Sequence, residues 1–180
     1  KYVKVIWLLI FPALLDIFHK LKNSDIREAI IRSLTKKEAK GIATKFMVDE
    51  FLSEYASSEG DAYKWAIGNA LELIMTDDIV PKILEILKDS SHGKSRQMIA
   101  MGIGKTRNYK KEAAQVLIDL LRDEDVCGHA IIGLRRLKAL ESRKYIKSFL
   151  NHKVRWKRQE AEKALKVFDK KEEDLKIMKK

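Results

Sequence analysis

One cysteine, Cys127, stands among 180 residues, so no internal disulfide can form and a cysteine-rich zinc site is excluded. A lone thiol suits a reducing compartment, and the expected location is cytoplasmic. Two prolines and eight glycines supply little of the punctuation that strands and hairpins need, and no Val/Thr-rich alternating run suggests a sheet. His19, His92, His129 and His152 are spread along the chain without ligand spacing, so no metal and no cofactor is expected. No apolar stretch reaches the roughly 20 residues of a membrane span. The longest, Val5 to Leu15, has eleven residues behind Lys1 and Lys4. That would suit the apolar region of a secretion signal, but no small-x-small cleavage pattern follows it. The chain begins at Lys1 rather than Met, and a start further upstream, with a signal or additional repeats, stays open.

What is abundant is Ala, Leu, Ile, Lys and Glu, a helix-forming composition. The chain also repeats itself. FPALLDIF at 11–18 matches VPKILEIL at 80–87 in its proline, its apolar positions and its single acid, so the apolar N-terminal run reads as a structural unit rather than an address label. The same pattern recurs as KFMVDEFL at 45–52, AQVLIDLL at 114–121 and, degraded, KYIKSFL at 144–150. Pro12 and Pro81 are expected in first turns, where a missing N–H costs nothing. A second pattern alternates with it: IREAIIRSL at 26–34, YKWAIGNAL at 63–71, SRQMIAMGI at 95–103 and VCGHAIIGL at 126–134. Its penultimate residue is small (Ser33, Ala70, Gly102, Gly133, with Ala164 as a fifth) and allows close approach of neighbouring helices. Leu34, Leu71, Ile103, Leu134 and Leu165 should then be buried at corresponding positions, and Val5 to Phe18 should pack against Ile26 to Leu34. Links such as KNSD, SSEGD, MTDD, KDSSHG and RDED should cap the helices through Asp and Ser.

This alternation, clearest in SDIREAIIRSL and in VPKILEILKD with the small-residue helix that follows, resembles the HEAT-repeat family, in particular the short HEAT-like repeats of phycobilisome lyases. The resemblance covers about residues 8–168 and departs from the usual pattern where Cys127 replaces a basic residue. It implies an all-α fold, an α-solenoid of stacked helix pairs with one helix layer outside and one inside, and no lyase activity follows from it. The chain is expected to form one domain, with repeats at roughly 1–23, 24–58, 59–90, 91–124 and 125–152 and a capping helix at 153–180.

Two motifs tempt and are set aside. GIGKT at 102–106 ends like a phosphate-binding loop, but the motif needs glycine where Ile99 stands and a preceding strand. Cys127 and His129 are two apart, a spacing that does not bring side chains together on a helix. Asp25, Asp61 and Asp125, with Arg27, Lys64 and Arg96, read as helix caps and inter-repeat pairs.

The formal net charge of +11 is concentrated. Residues 134–158 hold ten Lys or Arg against one acid, Glu141, while the rest of the chain is nearly balanced. The expected partner-binding basic patch is Arg135, Arg136, Lys138, Arg143, Lys144, Lys147, Arg155, Trp156, Lys157 and Arg158, near Lys153, with Trp156 available to stack or to fill a partner's pocket. In register, the first pattern carries an acidic row at Asp16, Glu50, Glu85 and Asp119. The resemblance places these helices on the concave side. A polyanion groove should not carry that row, so the expectation is a non-enzymatic scaffold whose partner is a protein. Nucleic acid bound at the basic end is the alternative, with a HEAT-like alkylpurine glycosylase as an enzyme variant for which no catalytic motif is found. Neither integral membrane association nor a small-molecule substrate is indicated.

Overall fold

The computed structural model describes the backbone of residues 2–178 and the side chains of residues 10–178. Among these residues there is no strand, and the chain is an array of helices: α1 (Tyr2–Phe18), α2 (Ser24–Ser33), α3 (Thr44–Phe51), α4 (Glu54–Glu59), α5 (Asp61–Ile74), α6 (Val80–Lys88), α7 (Gln97–Ile103), α8 (Lys110–Asp119), α9 (Cys127–Leu137), α10 (Arg143–Lys147) and α11 (Arg155–Ile177), with short 3-10 turns between them. Helices α2, α5, α7, α9 and α11 pack on one another in succession, and α3, α6, α8 and α10 lie against them as a second layer. Each helix meets its neighbours in sequence, the arrangement of an α-solenoid.

The small residues explain the spacing of the first layer. A Cβ on Gly102 would lie 2.9 Å from the Glu72 Cα of α5, and one on Gly133 would lie 2.5 Å from the Ala100 carbonyl of α7. At these points backbone meets backbone. Leu34, Leu71, Ile103 and Leu134 are fully buried, as the pattern requires. Leu165 is only half-buried, on a helix that packs against α9 and α10. Ala161, Ala164 and Phe168 form its buried stripe.

Several local expectations need correction. Pro81 does sit in the first turn of α6, but Pro12 lies inside α1, because the apolar run upstream extends that helix to Tyr2. Phe11 and Phe18 are buried, and Phe18 meets Phe46 of α3 edge-on at 4.8 Å. The expected packing of Val5 to Leu9 falls outside the described side chains. The SSEGD link is not a simple loop: Ser57, Ser58 and Glu59 belong to α4, an added helix that accounts for the longer step between the first two repeats. Asn23, not Asp25, caps α2 through a bond from the Ile26 N–H. Asp61 and Asp125 do not cap either: Gly60 and Val126 stand at those N-caps, without side-chain bonds.

Buried ion pairs lock adjacent levels. Arg27 donates to Glu50 at 2.7 Å and to the Leu21 carbonyl, between the rings of Phe18 and Tyr55. The Tyr63 hydroxyl donates to the same Glu50 oxygen at 2.8 Å, and burial raises the Tyr63 phenol well above its ordinary range. Glu72 accepts from Lys105 and Arg136, at 2.6 and 2.7 Å. Burial alone would raise its carboxyl, but the two cations outweigh burial and hold it below the usual carboxylate value.

Candidate interaction surface

Exposed positions of α1, α6 and α8 carry the acidic row, with one change on α3. Asp16, Glu85 and Asp119 are exposed, Glu85 beside Lys82 at 2.9 Å and Asp119 beside Gln115 at 3.2 Å. Glu50 is not on this surface: it is 5% exposed and paired with Arg27. Burial aligns α3 one residue earlier than the sequence pattern did, with Thr44 at the Val80 position and Phe51 at the Leu87 position, so Asp49 is the exposed acid of that helix. Grooves separate these helices. One of about 550 Å³ between α1 and α3 includes Asp16, Asp49, Lys45 and Phe46. Another, of about 390 Å³ between α6 and α8, includes Leu87, Val116 and Asp119. A third, of about 180 Å³, lies between α8 and α10 over Ile118, Leu121 and Phe149.

The basic stretch separates into two groups. Arg135 pairs with Glu160, Arg136 with Glu72, Arg143 with Asp169 and Glu172, and Lys157 with Glu124. Arg158 donates to the carbonyls of His152 and Lys153. These five serve the fold, and Lys157 is only 6% exposed. Lys138, Lys144, Lys147, Lys153 and Arg155 are exposed and make no ion pair among the described residues. Lys144 and Lys147 lie one helical turn apart on α10, the helix that follows α6 and α8 in the second layer. Trp156 is 40% exposed. One side of its ring seats on Gly128, where a Cβ would come within 2.0 Å, and His129 meets it edge-on at 5.4 Å. It is thus half packing and half surface. Tyr145, beside Lys144, is an exposed aromatic that the sequence pattern did not single out.

Two clusters have chemical potential. The Asp77 carboxylate accepts from the Thr106 hydroxyl and from the N–H groups of Arg107 and Asn108. The turn after GIGKT therefore grips a carboxylate of its own chain. Glu124, Cys127 and His152 bring one ligand atom each within 4.8 Å of one another, a grouping invisible in the sequence because His152 comes from the following turn. The Val154 N–H donates to His152 Nδ1 at 3.1 Å, so neutral His152 carries its proton on Nε2, towards Glu124 at 3.7 Å. The Lys157 ammonium takes the cation position, 3.0 Å from both Glu124 Oε2 and the Glu124 carbonyl. The cluster is a tie between α11 and the turn before α9.

Successive helix pairs, backbone contact between levels and buried ion pairs joining one level to the next define an α-solenoid. A family model for HEAT repeats matches residues 80–166, which supports the HEAT-repeat reading of the array. The match does not reach the finer likeness to phycobilisome-lyase repeats. No curated protein and no solved structure matches the chain. Among the described residues, no helix is long and apolar enough to cross a membrane.

Proposed function

We propose that this protein is a non-enzymatic scaffold that binds a protein partner across the exposed face of its second helix layer and its basic end. HEAT repeats commonly serve as protein-interaction scaffolds. What supports the reading is the change of sign along the array: exposed carboxylates at Asp16, Asp49, Glu85 and Asp119 on α1, α3, α6 and α8, then exposed cations at Lys144 and Lys147 on α10 and at Lys138, Lys153 and Arg155 in the flanking turns and helix start. A partner with charges of both signs complements such a face and is steered into one orientation. On the same grounds we propose one repeat domain with the divisions expected from the sequence.

A nucleic-acid reading is favoured by Tyr145 and Trp156, exposed among the free cations. Two sets of changes separate the readings. Lys138, Lys144, Lys147 and Arg155 to Glu remove the basic end without touching the paired arginines. Asp16, Asp49, Glu85 and Asp119 to Asn remove the acidic row. A purified, nuclease-resistant protein partner should lose affinity with either set. Binding that is steeply salt-dependent, needs nucleic acid and survives loss of the acidic row would overturn the scaffold reading.

A further inference from the structure

Two grooves of the second layer share a wall. The larger, of about 390 Å³, runs between the end of α6 and α8, over Leu87, Val116 and Leu120. The smaller, of about 180 Å³, runs between α8 and α10, over Ile118, Leu121 and Phe149. Asp119 and Arg122 line both. Helix α8 and the turn Leu120–Arg122 that follows it thus form a ridge between two apolar floors. Tyr145, 39% exposed, stands at the smaller groove. Tyrosine and arginine are residue types enriched where protein partners anchor, and both stand here.

The charges around these grooves are uneven. Lys88 lines the larger groove, Arg122 stands on the ridge, and the Lys144 ammonium lies 4.8 Å from the centre of the Tyr145 ring. All three are exposed and make no ion pair among the described residues. The nearby acids are mostly engaged. Asp123 is taken by Arg96 at 2.6 Å, and Glu85, one turn before Lys88, by Lys82 at 2.9 Å. Asp119 is the lining acid without a cation among the described residues, and it accepts from Gln115. Three free cations against that one acid leave the pair of grooves positive, and an occupant that complements them is apolar and acidic.

We propose that an acidic amphipathic helix of the protein partner lies across α8, with one apolar side chain in each groove. Its carboxylates meet Arg122 between the grooves and Lys88 and Lys144 at the flanks. The grooves are separated by one helix width, about 10 Å, and residues i and i+7 of a helix are about 10.5 Å apart along its axis. Residues i+3 and i+4 lie between them on the same face. The ridge therefore selects apolar anchors seven apart with acids at the third and fourth positions after the first. The apolar floors supply contact area, and the cations set orientation and choice of partner. This rests on the protein-partner reading and adds the chemistry of the segment recognised.

The probe is a capped Ala/Glu helix of about 15 residues, with two leucines seven apart and glutamates three and four after the first. It is titrated into the full chain and read by fluorescence anisotropy and amide NMR shifts. Saturable binding is expected, with the largest shifts in residues 115–122 and 145–149. Changing both leucines to Ala, or the glutamates to Lys, should each weaken binding about tenfold or more, as should Lys88→Glu with Arg122→Glu. Asp16→Asn with Asp49→Asn, in the groove between α1 and α3, should leave it unchanged. Equal binding of the leucine-free peptide, or an oligothymidylate moving the same amides at lower concentration, would assign the grooves to polyanions and overturn the proposal. So would the lack of saturable binding, or wild-type shifts centred outside residues 84–92 and 115–149. Failure here is separable from failure of the scaffold reading. A protein partner that loses affinity with either charge set, while the peptide does not bind, overturns the helix alone. A peptide that binds here, while the full partner ignores both charge sets, supports the helix and overturns the two-signed face.

Discussion

Asp49 and Glu50 are adjacent acids with opposite fates. Glu50 is buried against Arg27 and Tyr63, and Asp49 faces solvent. Nothing in KFMVDEFL distinguishes them, because both sit at the polar edge of an amphipathic stretch. The choice is made by Arg27, 23 residues away, whose guanidinium needs a carboxylate inside. Glu50→Ala should therefore cost about 3–5 kcal/mol in urea unfolding by stranding a buried cation, whereas Asp49→Ala should change stability by less than about 0.5 kcal/mol. Equal effects would restore the sequence-based register. The same reasoning divides the basic stretch. Glu160, Asp169 and Glu172 lie beyond residue 158, and only folding brings α11 back over α9 and α10 to neutralise Arg135 and Arg143.

At the scale of the element, the junction of α9 and α11 is the test case. Gly128 leaves room for the Trp156 ring, and an added Cβ would overlap it at 2.0 Å. Gly128→Ala should unseat the indole, red-shift its emission in a Trp7→Phe/Trp65→Phe background, and destabilise the chain by about 1–3 kcal/mol. Unchanged emission and stability would mean that the ring does not rest there. The element boundaries show why some expectations hold and others fail. Pro81 marks the start of α6 because the MTDD turn precedes it. Pro12 follows an apolar run, and the helix continues through it.

For the whole molecule, the alternation of two helix types and the small residue at one position made the solenoid legible, since both are local periodicities. The buried Leu34, Leu71, Ile103 and Leu134 follow from the same period. The contact of Lys64 with His92 was not legible. The two are 28 residues apart, and their bond joins the start of α5 to the turn before α7. Such a pairing exists only once the fold is known.

The close approach of α9 to α7 at Gly133 also dictates how the chain breathes. Backbone packed on backbone admits no small slip, so α7 and α9 must separate together or not at all. The last turns of α11, beyond Phe168, are exposed on nearly every side. Native-state hydrogen exchange should consequently run as a gradient, not as one event. Amides in residues 99–103 and 131–137 should exchange only through global unfolding, while those in 172–177 exchange through local fraying at a far lower free energy. Uniform protection along the chain would show that the array opens as a single unit. A graded pattern would mean that the centre of the stack stays intact while its end unwinds and rewinds.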